Sequence, residues 1–369
     1  MQKKSLYVHI PFCVSKCLFC SFAISVGQAH RVDDYIFALG EECKQYQGLN
    51  FSTVYLGGGT PTFLNDEQIS QLAEHIRRYF IVDPNAEWTI EANPEHLNLS
   101  KAKFLKKTGF NRLSLGTQTF EDRYLKFLGR NHDCSTALSA YQAARDAGFN
   151  NINVDLMFSY PGQTEDEIRK DIQTLGQLKS EHVSLYGLTI DEKSRFYAQQ
   201  LKLDDQELLA KQYVLICQLL EEQGLSQYEV SNFCRAGREA VHNSNYWNGS
   251  QYIGLGMGAH SYVDEKRYWN VSKLQDYLAR IQKSGNATED FENLTAETRL
   301  MERVLFGLRK NEGIQLSYIE REVGLRLVEE KLSTIESFIE AGFLVNKNDR
   351  LMTTMKGRLV LDELCSRLI

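Results

Sequence analysis

Close to its N-terminus the chain reads YVHIPFCVSKCLFC over residues 7–20. The apolar residues at the start of this segment are typical of a short buried strand, and Pro11 ends that strand before the first thiol. Cys13, Cys17 and Cys20 follow with the spacing C-x3-C-x2-C. Positions i, i+4 and i+7 also share one face of a helix, so a buried cysteine face is the plain alternative. The proline and the flanking phenylalanines favour a metal-binding loop after a strand.

Three clustered thiols are compatible with two kinds of metal site. A four-iron cluster is normally held by four cysteines, so three protein ligands leave one iron free to bind something else. A tetrahedral zinc site needs a fourth ligand, and His9 and His30 lie near enough in the sequence to supply it. The cysteine spacing alone does not separate these two alternatives.

Strand-like and helix-like segments alternate over the first 225 residues. We predict strands at 6–10, 53–56, 87–92, 112–116, 152–157 and 182–188, and helices at 32–46, 66–80, 100–107, 135–147, 164–178 and 204–222. This alternation indicates βαβ crossovers and a parallel sheet. Six such units are too few for a closed eight-stranded barrel. The sequence therefore predicts an α/β fold, an open and partial (β/α)6 TIM-like barrel over residues 1–230.

The rest of the chain divides into two predicted parts. Residues 231–285 are rich in Asn, Gly, Tyr and Trp, and they form an extension with the segment HNSNYW at 242–247 and a Gly-rich stretch that ends at His260. Residues 286–369 have helical periodicity, which predicts three helices followed by a hairpin around 346–349. We therefore expect a mainly helical, winged-helix-like C-terminal domain.

Composition and charge narrow the class of protein. The 369 residues contain 42 Lys and Arg against 48 Asp and Glu, which gives a formal charge of −6. This acidic balance argues against a general nucleic-acid binder. The sequence contains no run of about 20 apolar residues, so no transmembrane helix is expected. The only stretch that resembles a signal peptide is interrupted by His9, Pro11 and Lys16. We expect a soluble, cytoplasmic protein, in which clustered cysteines more often hold metal than form disulfides.

Several predicted strands end in residues suited to ligand binding. In β/α barrels such residues collect at the C-terminal ends of the strands. The second strand runs into a Gly-rich turn at 57–59, the third carries Glu91, the fourth ends near Gln118 and the fifth carries Asp155. Missing Cβ atoms would let backbone N–H groups approach a charged ligand, although a plain turn also uses glycine. Each carboxylate alone is compatible with a structural ion pair. Together these strand ends indicate one ligand site.

The segment from Tyr7 through Cys20 resembles the radical S-adenosylmethionine (SAM) superfamily. In particular it is similar to the branch that contains the oxygen-independent coproporphyrinogen III oxidases and the HemW heme chaperones. The resemblance implies a [4Fe–4S] cluster on Cys13, Cys17 and Cys20, whose free iron is chelated by SAM. In that superfamily, electron transfer from the cluster cleaves SAM to methionine and a 5′-deoxyadenosyl radical. It also implies the SAM-site residues Tyr7, Phe19, Gly58, Gly59, Thr60, Glu91, Gln118, Arg130 and Asp155; in the oxidases the last three belong to a second SAM molecule.

Two departures count against oxidase activity. The oxidase pattern continues as C-x3-C-x2-C-x-C, and Phe22 stands where the additional cysteine is expected. Only six residues precede Tyr7, whereas the oxidases have a substantial N-terminal extension. We therefore expect a protein without coproporphyrinogen oxidase activity.

One motif points to the chaperones. His242, Asn243, Tyr246 and Trp247 match their H-N-x-x-Y-W signature. Neutral imidazole is a common axial heme ligand, and flat aromatic rings can pack on a porphyrin. We expect heme to bind at His242, Tyr246 and Trp247 in an open loop, with His260 and then Cys234 as further candidate ligands. A plain polar loop is the alternative.

The sequence thus predicts a heme chaperone that depends on a SAM-chelated [4Fe–4S] cluster and delivers heme to recipient hemoproteins. The resemblance implies respiratory-chain enzymes as recipients and a homodimer that forms with the cluster. Peripheral membrane contact is compatible with this sequence. An oxygen-independent coproporphyrinogen III oxidase is the main alternative, and a zinc-stabilised interaction module is the third.

Overall fold

The computed structural model describes residues 4–323 and 327–368. Its strands in these ranges are β1 Lys4–Ile10, β2 Phe12–Cys13, β3 Ser25–Val26, β4 Asn50–Gly58, β5 Ile81–Ala92, β6 Arg112–Gln118, β7 Ile152–Phe158, β8 His182–Gly187, β9 Ser226–Glu229, β10 Asn232–Cys234, β11 Tyr252–Leu255, β12 His260–Val263, β13 Lys266–Asn270, β14 Thr288–Asn293, β15 Ile314–Gln315, β16 Leu344–Lys347 and β17 Arg350–Thr353.

The α-helices in the same ranges are α1 Val32–Lys44, α2 Asp66–Tyr79, α3 Leu99–Thr108, α4 Asp122–Leu128, α5 Cys134–Asp146, α6 Glu165–Leu178, α7 Arg195–Ala198, α8 Gln206–Glu222, α9 Val241–Trp247, α10 Leu274–Ser284, α11 Ala296–Arg309, α12 Leu316–Val323, α13 Leu327–Glu340, α14 Met355–Arg358 and α15 Leu361–Leu368. Among the described residues, none of these helices combines the length and the apolar character needed to cross a bilayer.

The centre of the molecule is a run of parallel strands. β1, β4, β5, β6, β7 and β8 lie side by side in chain order, and each pairs in parallel with the next. The helices that alternate with them along the chain pack their apolar faces on the sheet, where Leu6, Val54 and Val154 are fully buried. Because side chains alternate along a strand, the neighbours of these residues face the barrel interior. The predicted partial (β/α)6 barrel is confirmed.

The extension continues the sheet at both edges. β11 pairs in parallel with β1, and β12, β13 and β14 follow it as antiparallel neighbours. At the other edge β10 and then β9 add antiparallel to β8. These strands were not predicted, because runs of three to six residues leave little periodicity to detect. β14 lies beyond residue 285 and pairs with β13, so the sheet passes the predicted start of the C-terminal domain.

The C-terminal domain has its own apolar core. α11, α12 and α13 are followed by a hairpin of β16 and β17, and β15 pairs with β17 to complete a three-stranded sheet. The two hairpin residues Asn348 and Asp349 both have positive φ angles, 53° and 64°. Two such residues form the tight turn that matches the twist of a hairpin. The predicted helices and hairpin of a winged-helix-like domain are confirmed.

Candidate functional site

A cavity of about 430 Å³ opens at the C-terminal ends of the parallel strands. Every predicted cluster and SAM residue except Tyr7 lines it: Cys13, Cys17, Phe19, Cys20, Gly58, Gly59, Thr60, Glu91, Gln118, Arg130 and Asp155. Residues far apart in the chain meet here because parallel strands place their C-terminal ends at one edge of the sheet. Tyr7 is not among the lining residues, and its hydroxyl donates to His9 Nδ1 at 3.0 Å.

The three cysteines lie in a loop that follows β1, not on a helix. Cys13 ends the short strand β2, and no helix lies between residues 13 and 20. The loop packs against the Gly-rich turn after β4, where Gly59 N donates to Ile10 O at 2.8 Å and Thr60 N donates to Phe12 O at 3.0 Å. A Cβ atom on Gly59 would lie 2.9 Å from Cys13 Sγ, so this position requires glycine. The helix-face alternative for the cysteines is wrong.

The zinc alternative is not supported by the geometry of the side chains. Within the described residues, no group of three or more His, Cys, Asp or Glu side chains is arranged to hold one metal ion. His9 Nε2 donates to Ala23 O at 2.7 Å, so both ring nitrogens of this residue are used, and His30 is exposed on a 3-10 helix. A four-iron cluster instead binds its thiolates on separate iron atoms. Three thiols around one end of a cavity fit such a cluster.

Two of the three thiols, those of Cys13 and Cys20, are in an environment that favours the protonated form in the absence of metal. Burial raises the pKa of Cys13 to about 11, and burial also raises the pKa of Cys20. Because a metal-bound cysteine is a thiolate, metal binding here releases protons.

Arg130 brings a positive charge to the cysteine loop. The short helix α4 ends at Leu128, and the next residue, Gly129, turns the chain back toward the cavity with a φ of 72°. Arg130 Nη1 then donates to Cys17 Sγ at 3.5 Å, while Nη2 donates to Asn93 Oδ1 and to Gly116 O, each at 2.9 Å. A cation that donates to a sulfur ligand stabilises negative charge on a thiolate or cluster. The sequence analysis did not predict α4, because seven residues give too short a periodic pattern.

Glu91 is held on both of its oxygens at the cavity wall. Tyr55 Oη donates to Oε1 at 2.7 Å, and Gly58 N donates to Oε2 at 3.0 Å. Burial and the nearby charge of Asp155 nevertheless raise the pKa of Glu91 to about 7. A carboxyl group that titrates near neutrality in a ligand cavity is typical of functional sites.

The Gly-rich turn does not act in the way that the sequence analysis expected. The N–H groups of Gly58, Gly59 and Thr60 donate to Glu91, Ile10 and Phe12. The prediction that these N–H groups face a charged ligand is wrong. The glycines instead permit close packing, since a Cβ on Gly58 would lie 2.5 Å from the His9 ring.

Asp155 stands at the centre of a polar network. It accepts hydrogen bonds from Ser114 Oγ at 3.1 Å and from Asn153 Nδ2 at 2.8 Å. Asn153 Oδ1 in turn lies 2.7 Å from His182 Nδ1, and Tyr228 Oη lies 2.8 Å from His182 Nε2. Burial raises the pKa of Asp155. The carboxylate is therefore held by neutral partners rather than by the structural ion pair that was the alternative.

Two further cavity residues carry signs of a functional role. Gln118 has a φ of 70° at the end of β6, a conformation that is uncommon for residues other than glycine and is often retained at ligand sites. Arg112 is only 1% exposed, and within the described part of the chain its Nε and Nη2 atoms have no hydrogen-bond partner. Buried donors without partners are costly, so water or a ligand is expected to complete this part of the cavity.

The HNxxYW segment is not an open loop. It forms helix α9, in which His242 is 1% exposed. His242 Nδ1 lies 2.8 Å from Thr53 Oγ1, and Nε2 lies 2.9 Å from Tyr246 Oη. The prediction that His242 lies in an open loop is wrong, and in this arrangement both of its ring nitrogens are engaged. Trp247 packs against Phe306 of α11 with ring centroids 5.9 Å apart.

The other candidate heme ligands differ in exposure. His260 is exposed at the start of β12, and its ring stacks on Trp269 at a centroid distance of 5.7 Å. Cys234 is buried at the end of β10.

Several cavity residues were missed by the sequence analysis: Tyr55, Asn93, Arg112, Ser114, Asn153, Ser184 and Asn243. The two-residue period of the strands could have found most of them, since Ser114 precedes Gln118 by four positions and Asn153 precedes Asp155 by two. Asn243 is part of the HNxxYW motif, but its place in the cavity wall depends on the tertiary position of α9 and had no local signal.

Comparison with known proteins agrees with this site. The family model of the radical SAM superfamily matches residues 7–175, and the model of the HemN C-terminal domain matches residues 294–360. The heme chaperone HemW of Bacillus subtilis (strain 168) is 37% identical to this chain, over 98% of this chain and 97% of its own length. The chain belongs to the HemW family of radical SAM proteins.

Other members and neighbours support this membership. The heme chaperone HemW of Lactococcus lactis subsp. lactis (strain IL1403) is 33% identical, over 97% of this chain and 95% of its own. The structure of Escherichia coli HemN, a coproporphyrinogen III oxidase described as a radical SAM enzyme, matches with a TM-score of 0.87 and 27% identity. It covers 99% of this chain and 90% of the HemN chain. Radical SAM family membership implies a [4Fe–4S] cluster and SAM as cofactors.

Proposed function

We propose that this chain is a heme chaperone that binds heme and transfers it to recipient hemoproteins. The observation that carries the proposal is its 37% identity with a heme chaperone over 98% of this chain. The cavity at the strand ends then serves as the site of the [4Fe–4S] cluster and SAM on which the chaperone depends.

We assign the cavity residues as follows. Cys13, Cys17 and Cys20 would hold the cluster and leave one iron for SAM. Phe19 and the Gly-rich turn would contribute to the SAM site, and Glu91 would offer its carboxylate to a positive or hydroxyl-bearing group of SAM. When bound, the cluster supplies single-electron chemistry to SAM; the residues of the chain bind and orient it.

The cavity also contains a second set of polar groups. Gln118, Arg130 and Asp155 line the same cavity as the cysteines, and the family resemblance implies that these residues bind a second SAM in the oxidases. In this chain Arg130 donates to Cys17 Sγ, so we assign Arg130 to the cluster site rather than to a second SAM site.

His260 is the candidate heme ligand with the more exposed side chain. It stacks on the flat indole of Trp269, and heme ligation by His260 would not require α9 to move. Ligation by His242, with Tyr246 and Trp247 against the porphyrin, requires α9 to leave its present position and His242 to give up two hydrogen bonds.

A hemin titration of anaerobically reconstituted protein tests the function. We expect a saturable Soret band at one heme per chain, and we expect His260→Ala to weaken it more than His242→Ala does. Absence of saturable binding in the parent protein would refute the chaperone proposal. A band that is lost only in His242→Ala would instead show that α9 opens to bind heme.

The alternative function is that of an oxygen-independent coproporphyrinogen III oxidase, which the similarity to Escherichia coli HemN favours. Phe22, which takes the place of the additional oxidase cysteine, is 66% exposed at the cavity rim. We expect no anaerobic, SAM-dependent conversion of coproporphyrinogen to protoporphyrinogen. Turnover of this substrate by the reconstituted protein would establish the alternative.

We further infer that the protein works in the cytoplasm as a homodimer that forms with the cluster, and that respiratory-chain enzymes receive its heme. The chaperone role and the family resemblance support these inferences. Light scattering after size-exclusion chromatography, with and without the cluster, tests the dimer. A mass that stays that of one chain in both samples would contradict it.

A further inference from the structure

The HNxxYW helix closes the barrel on the side away from the cavity mouth. The N-terminus of α9 is held by a barrel strand, since Val241 N and His242 N donate to the two oxygens of Glu87 at 3.1 and 2.9 Å. Asn245 Nδ2 donates to Ser5 Oγ at 2.8 Å, which ties the helix to β1 as well. Asn243 lines the cavity itself. The helix is therefore a floor for the ligand site.

His242 lies directly under Tyr55. Their ring centroids are 4.9 Å apart with an interplanar angle of 32°. The imidazole is fixed from both ends, by Thr53 Oγ1 at 2.8 Å and by Tyr246 Oη at 2.9 Å. Thr53 belongs to the barrel strand β4 and Tyr246 to α9 itself, so the ring is held between the strand and its own helix.

Tyr55 connects His242 to the carboxylate of Glu91 at the cavity wall. Its hydroxyl donates to Glu91 Oε1 at 2.7 Å, and Gly58 N holds the other oxygen. A continuous column of contacts thus runs from Tyr246 through His242 and Tyr55 to Glu91.

We propose that His242 and Tyr55 are positioning residues that hold Glu91 in place for SAM, so that the HNxxYW motif is the foundation of the SAM site. This inference rests on the assignment of the cavity to SAM under the proposed function. Under this proposal the HNxxYW motif has a role while the His242 side chain is buried.

The charge state of His242 agrees with a packing role. Burial, reinforced by the positive charge of Arg112, lowers the pKa of His242 to about 3. The ring is therefore neutral over the whole working range of pH, and it supports Tyr55 by contact and hydrogen bonding rather than by charge. Withdrawal of the ring from the column, for instance to bind heme iron, would loosen Tyr55 and weaken SAM binding.

The test measures SAM affinity by equilibrium dialysis of labelled SAM with the anaerobically reconstituted protein. Tyr55→Phe keeps the ring on His242 and removes only the donor to Glu91. We expect SAM to bind about tenfold more weakly, the loss that corresponds to one hydrogen bond to a charged group. His242→Phe should weaken SAM binding to a similar degree, and His242→Gln, which can still hydrogen-bond, should recover much of the affinity.

Matched substitutions outside the column control for general effects. Tyr318→Phe on α12 and His75→Gln on α2 remove the same groups far from the cavity and should leave SAM affinity unchanged. Iron content per chain and melting temperature show whether each variant is folded and loaded. Should His242→Phe fail to fold, Tyr55→Phe decides the question alone.

A pH profile separates positioning from a general loss of structure. Loss of the Tyr55 donor removes a hydrogen bond that favours the charged carboxylate, so the pKa of Glu91 should rise and the pH dependence of SAM binding should shift upward in Tyr55→Phe. SAM affinity within twofold of the parent in loaded Tyr55→Phe would overturn the proposal. Hemin titration of the same samples keeps the two proposals apart, because a parent protein that binds SAM but no hemin refutes only the chaperone function.

Discussion

Arg130 donates a hydrogen bond from Nη1 to Sγ of Cys17 over 3.5 Å. Asn93 and the carbonyl of Gly116 hold the other arm of the guanidinium, so its position does not depend on a ligand. The barrel thus fixes one positive charge beside a predicted cluster ligand before any cofactor binds. Positive charge and hydrogen bonds to sulfur stabilise the reduced state of an iron–sulfur cluster.

Arg130→Met should therefore lower the reduction potential of the cluster, by an amount on the order of tens of millivolts. An anaerobic redox titration followed by electron paramagnetic resonance measures this change. Arg123→Met on the preceding helix α4 provides a control, since Arg123 pairs with Glu167 rather than with a cysteine. Equal potentials in the Arg130 variant and the parent would show that the contact has no electrostatic effect on the cluster.

Replacement of any one of Cys13, Cys17 or Cys20 by serine should remove the cluster. Reconstituted parent protein should contain about four iron atoms and four sulfides per chain, and each variant should contain close to none. Cys134→Ser is the matched control, because this thiol is also partly exposed but lies outside the cavity. Zinc without iron or labile sulfide in the anaerobically purified parent would instead support the zinc-site alternative.

The sequence predicted the barrel well because its signals are local. The parallel strands are largely apolar runs that alternate with helices, and several of these helices begin at a side-chain cap, as at Asn65, whose side chain accepts from Gln68 N in a capping box. The strand-end residues of the cavity followed from the same pattern, since the C-terminal ends of parallel strands converge.

The role of the HNxxYW segment was not predictable in the same way. α9 has seven residues, and its first N–H groups are satisfied by Glu87, which lies 155 positions before His242 in the chain. No local pattern records such a contact. Whether His242 is exposed or buried therefore depends on the tertiary structure, and the sequence supplied only the motif.

Glu91 should make the stability of the empty protein depend on pH. Its pKa of about 7 in the folded state is above the ordinary value of 4.5, so the folded protein binds the proton more tightly than the unfolded chain. Stability from this group is fully present below about pH 4.5 and is lost as the pH rises toward 7. The loss cannot exceed about 1.4 kcal/mol per pH unit for one group.

Urea unfolding at several pH values measures this effect. Glu91→Gln should flatten the dependence between pH 4.5 and 7. Asp171→Asn is the matched comparison, because burial also raises the pKa of Asp171, to about 6, but its carboxylate lies outside the cavity and bonds to Thr119 and Phe120. An unchanged slope in Glu91→Gln would mean that this carboxyl is already ionised in the folded protein. SAM binding that pairs with the carboxylate should strengthen over the same pH range in which the empty protein loses stability.

Trp247 connects the barrel floor to the C-terminal domain. Its ring contacts Phe306, and the guanidinium of Arg309 lies 5.2 Å from its ring centroid. Trp247→Ala should destabilise the docking of α11 by about 2 kcal/mol, less than the 3–5 kcal/mol of a fully buried tryptophan because this side chain is only partly buried.

Limited proteolysis should then cut more readily between the barrel and the C-terminal domain, and Trp247→Phe should restore part of the resistance. Phe291→Ala, which removes an exposed aromatic from β14, should leave the cleavage rate unchanged. If Trp247→Ala and the parent are cut at the same rate, other contacts, such as the hydrogen bond from Lys310 Nζ to Asn248 Oδ1 at 2.6 Å, hold the domain in place.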